Sequence, residues 1–135
     1  MRMYIDTEFN GFGGDLISMA LVTEDDDEFY EVLECQHPTP WVKEHVMPFL
    51  HKKPVDMGTL QTNLAHFINQ FNHINIIADW PDDIKYFCQA LIIGPGKALS
   101  TPPITMSIRR DLNSENSELP HNALYDARAL AQGDV

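Results

Sequence analysis

The chain has 135 residues, 44% hydrophobic and 10% aromatic, which suits one domain with a sizeable core. Its 20 acidic residues against 9 Lys and Arg give a formal net charge of -11. That balance excludes a protein that coats nucleic acid by bulk positive charge, because counterion release needs clustered bases. Two cysteines, Cys35 and Cys88, exclude a disulfide framework or a cysteine-rich zinc site and fit reduced thiols in a cytoplasmic chain. Asp6 arrives too early for a signal-peptide core. No apolar run approaches the ~18 residues that span a bilayer, so no membrane partner is expected.

In chain order, Met3 to Thr7 predicts a buried strand ending in acid, followed by a turn at Gly11, Gly13 and Gly14. Asp15 to Val22 and Phe29 to Leu33 predict two further strands. The solvated acid run Glu24 to Glu28 joins them, and the three strands make an antiparallel meander. His37-Pro38-Thr39-Pro40 is a breaker, and Val42, Val46, Phe49 and Leu50 then recur at helical spacing until Pro48 shortens or kinks the helix. Asp56 caps a longer helix with the stripe Met57, Leu60, Leu64, Phe67, Ile68 and Phe71. Asn75 to Asp79 predicts a central strand, and Pro81 opens a helix that Gly94-Pro95-Gly96 ends. Lys97 to Pro103 reads as loop, Ile104 to Ile108 as a last strand, and Asn113 to Leu119 as a polar loop. A final helix begins near Asn122. The expected class is a single-domain α/β protein with a mixed sheet, a three-stranded meander and flanking helices.

Three features carry chemistry. Asp6 and Glu8 lie two apart on a strand, so period-two alternation puts both carboxylates on one face. Like charges held there lose hydration and repel, and a hard divalent cation such as Mg²⁺ resolves the conflict. Asp79, Asp82 and Asp83 lie at a strand–helix junction, where acids also serve as caps for the helix N-terminus. Asp126 sits at the edge of the last helix's apolar stripe without a neutralising neighbour on that helix, since Arg128 projects to the far side. His121 stands free at the helix start.

The segments Ile5-Asp6-Thr7-Glu8, Asp83-Ile84-Lys85-Tyr86-Phe87 and His121-Asn122-Ala123-Leu124-Tyr125-Asp126-Ala127 occur in an order that resembles the DEDDh 3′–5′ exonuclease superfamily. The resemblance is nearest to the short bacterial exoribonucleases, which carry a segment like Trp41-Val42-x-Glu44-x-Val46-x-Pro48. It implies a ribonuclease H-like sheet. It also implies two Mg²⁺ or Mn²⁺ ions held by Asp6, Glu8, Asp83 and Asp126, with Asp79 the competing choice for the middle position. Glu8 would orient the attacking water, and His121 would be the general base. The products would be nucleoside 5′-monophosphates, cut from single-stranded or 3′-overhanging nucleic acid, RNA in preference to DNA. Phe9 and Phe12, flanking the glycine turn, would stack bases, with Trp80 as another choice. Arg109 and Arg110 would form a small basic rim, with Lys85 a weaker candidate. A homodimer, with Trp41 on its surface, is the assembly seen among many relatives. The superfamily's long C-terminal helix is expected to be trimmed here. Two other readings are an inactive nucleic-acid- or protein-binding module of the same fold, and an acidic mimic of nucleic acid that inhibits another protein.

Overall fold

The computed structural model describes residues 1–134. Strand β1 spans Arg2–Phe9, β2 Leu16–Thr23 and β3 Glu28–Val32. They form the expected meander: β1 pairs antiparallel with β2, and β2 antiparallel with β3. Helix α1 covers Pro40–His45, with Thr39 as its N-cap, and a 3-10 turn follows over Met47–Phe49. Pro48 breaks the longer apolar periodicity at this point, because its ring cannot continue an α-helix. Helix α2, Met57–Ile68, starts at Asp56, whose carboxylate accepts the Thr59 N–H at 2.7 Å. It ends before Phe71, which packs from the loop beyond it.

Strand β4, Ile74–Ala78, pairs parallel with β1, and helix α3, Pro81–Leu91, follows at once. A small hairpin, β5 (Ile92–Gly94) with β6 (Lys97–Ala98), occupies the stretch the sequence reads as a helix end and loop. Gly96 turns it with φ of 66°. Strand β7, Ile104–Ile108, pairs parallel with β4, and helix α4, Ala123–Gly133, closes the fold.

The main sheet runs in the order β3-β2-β1-β4-β7, three antiparallel strands joined to two parallel ones. It is a mixed α/β architecture of the ribonuclease H-like kind. One face carries α2 and α3 over Met3, Ile5, Met19, Leu21 and Ile76, with Leu60, Leu64 and Phe87 completing the core. Burying each such side chain contributes about 1.5–3 kcal/mol. The opposite face carries α4, whose Ala123 and Ala127 lie on Ala20 and Val22, and whose Leu130 packs on Tyr4 and Ile77. Alanines on both sides of that contact let the helix approach closely, and α1 covers Ile17 and Val32 beside it. Strand β2 is buried along its whole length because both its faces are covered. No helix among the described residues is long and apolar enough to cross a membrane.

Candidate active site

Alternation along β1 sends Met3 and Ile5 into the α2/α3 core and Tyr4 toward α4. Asp6 and Glu8 continue the Tyr4 series, so both carboxylates face the α4 side at the carboxyl end of a central strand. Because β1 and β4 are parallel, their carboxyl ends share one edge of the sheet, the place where α/β folds open a crevice for ligands. Their register pairs Tyr4 with Ile77, and continuing it by two residues sets Asp79 level with Asp6. One oxygen each from Asp6, Glu8 and Asp126 come within 4.8 Å of one another, and so do one oxygen each from Asp6, Asp79 and Asp83. Asp6 belongs to both sets.

Asp83 enters from the first turn of α3, which Pro81 begins and where an acid meets the favourable end of the helix dipole. It is buried, and its Oδ1 accepts two hydrogen bonds from Thr7, one from the hydroxyl at 2.6 Å and one from the backbone N–H at 3.1 Å. Those bonds fix the carboxylate's orientation and leave its second oxygen for another partner. Asp82 accepts the Trp80 indole N–H at 3.0 Å, so this third acid of the junction serves the local turn.

Asp126 comes from α4. Asn122 starts that helix by accepting the N–H groups of Leu124 and Tyr125, and its amide donates to the Phe49 carbonyl at 2.7 Å. His121, just before this cap, is held with φ of 69° in the left-handed region. Such a conformation costs on the order of 1 kcal/mol or more for a side chain with a Cβ, and strain of this kind persists where the surroundings enforce it. His121 sits edge-on to Trp41, ring centroids 5.1 Å apart, and Trp41 stacks on His45 at 4.6 Å. His45 Nδ1 lies 3.0 Å from the Trp41 carbonyl, which only accepts, so that ring nitrogen is the donor.

The cluster is electrostatically frustrated. Burial first, then the neighbouring carboxylates of Asp83, Glu8, Asp126 and Asp79, push Asp6 well above the ordinary carboxylate range. Burial and the charges of Asp126 and Asp83 push Glu8 up to about 9. Burial raises Asp83 to about 7 despite the two Thr7 hydrogen bonds, which act the other way. Asp79 and Asp126 are also raised, mainly by burial, with Arg110 opposing the shift at Asp79. Asp6 Oδ2 and Asp126 Oδ1 are buried with no hydrogen-bond partner among the described residues. Buried acceptors left so cost free energy that a cation would recover, so the donor set fits divalent metal.

These residues line a pocket of about 600 Å³ that also includes Phe9, Phe12, Trp41 and Trp80. Phe12 is fully exposed at the tip of the Asn10–Asp15 loop, while Phe9 is stacked on Tyr86 with centroids 4.9 Å apart. That loop is closed tightly: Gly11 and Gly13 have positive φ, and a Cβ at Gly14 would overlap the Asn10 carbonyl. A larger cavity, about 840 Å³, lies beyond the loop against Leu16, Leu33, Val55 and Lys85, but it contains none of the clustered carboxylates. Of the two, only the smaller one is lined by the clustered carboxylates.

The structure brings Asp6, Glu8, Asp83, Asp126, His121, Phe9 and Phe12 together as the sequence suggests, and it adds Asp79 beside Asp83 rather than in its place. Arg110 reaches the rim only through Trp80, a lining residue, its guanidinium 4.7 Å from the centre of that ring, and is not itself a lining residue. Arg109 does not reach it: it is held by Asp111 at 2.6 Å and by Asp134 at 3.3 Å and does not line the pocket. Lys85 lies over Tyr86 and faces the larger cavity. Trp41, read as a surface for a second copy, is half exposed and lines the pocket beside His121. Thr7 and His45 escaped the sequence reading. Thr7 points to the opposite face from its two acidic neighbours, and His45 has no acidic partner at a telling spacing. No protein-family model matches the chain, and no curated protein does.

Proposed function

We propose that this protein is a metal-dependent 3′–5′ exonuclease, acting on RNA in preference to DNA and releasing nucleoside 5′-monophosphates. One observation carries the reading: two sets of carboxylate oxygens share Asp6, contain buried oxygens without partners, and open into the pocket that holds His121. Acids alone would fit many roles, but acids sharing a ligand beside an imidazole fit phosphodiester hydrolysis. Two Mg²⁺ or Mn²⁺ ions held by Asp6, Glu8, Asp83 and Asp126 would stabilise the attacking and leaving oxygens of an in-line displacement.

The chain's own residues do the rest. Glu8 accepts a hydrogen bond from the attacking water and orients it. His121 takes the proton from that water on a ring nitrogen, and Trp41 limits how far the ring can turn. Phe12, fully exposed, and Trp80, half exposed, stand on the pocket rim and stack on the terminal bases. Arg110, stacked on Trp80, meets a backbone phosphate. The RNA preference rests on the resemblance to short exoribonucleases.

The test is a denaturing-gel time course on 5′-labelled RNA and DNA of one sequence, with Mg²⁺, with Mn²⁺ and with EDTA. The expected result is stepwise shortening from the 3′ end with either metal, faster on RNA, and none with EDTA. Asp6→Ala and His121→Ala are expected to abolish shortening while keeping the native circular-dichroism spectrum. Intact RNA and DNA under all conditions, or wild-type rates in either variant, would overturn the proposal.

A further inference from the structure

We infer that Asp79 is a fifth carboxylate of the metal centre, acting together with Asp83 rather than as its substitute, and that Arg110 is its counter-charge. The inference rests on reading the cluster as a metal centre. Three observations support it. First, the parallel register sets Asp79 level with Asp6 on the neighbouring strand and the same face, as Ile77 is with Tyr4. Second, oxygens of Asp6, Asp79 and Asp83 lie within 4.8 Å of one another, and the Asp6 Oδ2 is buried with no partner. Third, Asp83 has only one oxygen to give, because Thr7 occupies the other with two hydrogen bonds. A cation beside Asp6 and Asp83 therefore takes its third protein oxygen from Asp79.

Charge balance explains Arg110. Two divalent cations neutralise four carboxylates, and a fifth leaves one negative charge in surplus. Arg110 stacks on Trp80, the residue next to Asp79, with its guanidinium 4.7 Å from the ring centre, and that stacking keeps its charge near Asp79. The same guanidinium is then pulled two ways, by Asp79 and by an arriving phosphate. Metal occupancy at the Asp79 site and grip on the substrate are linked through it.

The experiment is a Mn²⁺ titration of the 135-residue chain without substrate, followed by free-Mn²⁺ paramagnetic resonance and calorimetry. Wild type is expected to bind two Mn²⁺ per chain. Asp79→Asn is expected to leave one of the two within about twofold and to weaken the other by ~10-fold or more, at least the loss that follows removal of a group that only orients a ligand. Asp79→Glu, which keeps the carboxylate, should recover most of that loss. Arg110→Gln should tighten the affected site severalfold by removing a repelling cation. Two sites of wild-type affinity in Asp79→Asn would overturn the inference and leave the metal centre standing. No Mn²⁺ bound by wild type would overturn both.

Discussion

Thr7 faces away from Asp6 and Glu8, yet it governs a third carboxylate through the hydroxyl and N–H it gives Asp83. Removing the hydroxyl while keeping the shape isolates that role. Thr7→Val is expected to stay folded, to raise the Asp83 pKa further, and to lower metal affinity or turnover by ~10-fold, in the range typical for residues that orient a ligand. Thr7→Ser should restore most of it, and calorimetric Mn²⁺ binding beside a gel assay checks both. At this scale the alternation of a single strand made Asp6 and Glu8 legible in the sequence, and helical spacing exposed Asp126. Asp79 was harder to read, because its place depends on how β1 and β4 register, a long-range fact that local pattern does not carry. Thr7 was hidden for the opposite reason: on the strand's other face, it reads as one more buried strand residue. His121 was visible as a free histidine before a helix, but its left-handed backbone was not.

Helix α4 is what brings the distal acid and the histidine to the strand ends, and Asn122 is its anchor. The Asn122 side chain satisfies two N–H groups at the helix start and the carbonyl of Phe49 across the molecule. Asn122→Ala removes a cap worth about 1 kcal/mol and strands a carbonyl worth another 1–3 kcal/mol. The melting temperature should fall by roughly 10 °C, with loss of activity ahead of unfolding because His121 is the adjacent residue. The contact of α4 with the sheet is equally exacting. Ala127 is fully buried against the β2 side, so Ala127→Leu should cost about 1–3 kcal/mol and lift Asp126 off the cluster. Thermal melts followed by circular dichroism check both variants. Elements with strong periodicity were legible at this level: α2 from its stripe, β4 from its continuous apolar run, α4 from Asn122 onward. The β5–β6 hairpin was not, because Gly94-Pro95-Gly96 serves equally as a helix stop and as a tight turn, and only the neighbouring strand decides between them.

Across the whole molecule the buried acids set the response to pH. Glu8 at about 9 and Asp83 at about 7 stand above their ordinary values of 4.5 and 3.8, so the folded state holds protons that the unfolded chain has released. The stability they contribute is complete below pH ~4 and is lost as pH rises through 7 and 9. Acids with the opposite shift, such as Asp111 at about 2 beside Arg109, act below pH ~4 and leave this window untouched. In EDTA the melting temperature is therefore expected to fall between pH 5 and 9. At pH 8, Mn²⁺ at a hundredfold its Kd should raise it, since binding of that strength adds ~2.7 kcal/mol. A melting temperature that climbs with pH in EDTA would contradict the frustrated cluster. The turn at Gly96 has a consequence of another kind. It lies on the exposed hairpin between α3 and β7, and a cut there leaves Asp6, Glu8, Asp79 and Asp83 in one fragment and His121 with Asp126 in the other. The first fragment keeps the Asp6, Asp79 and Asp83 set whole, but the Asp6, Glu8 and Asp126 set is divided between the two, so divalent metal at the divided set would act as an adhesive between them. A two-piece version of this protein should reassemble in proportion to the Mn²⁺ supplied and come apart again when a chelator is added.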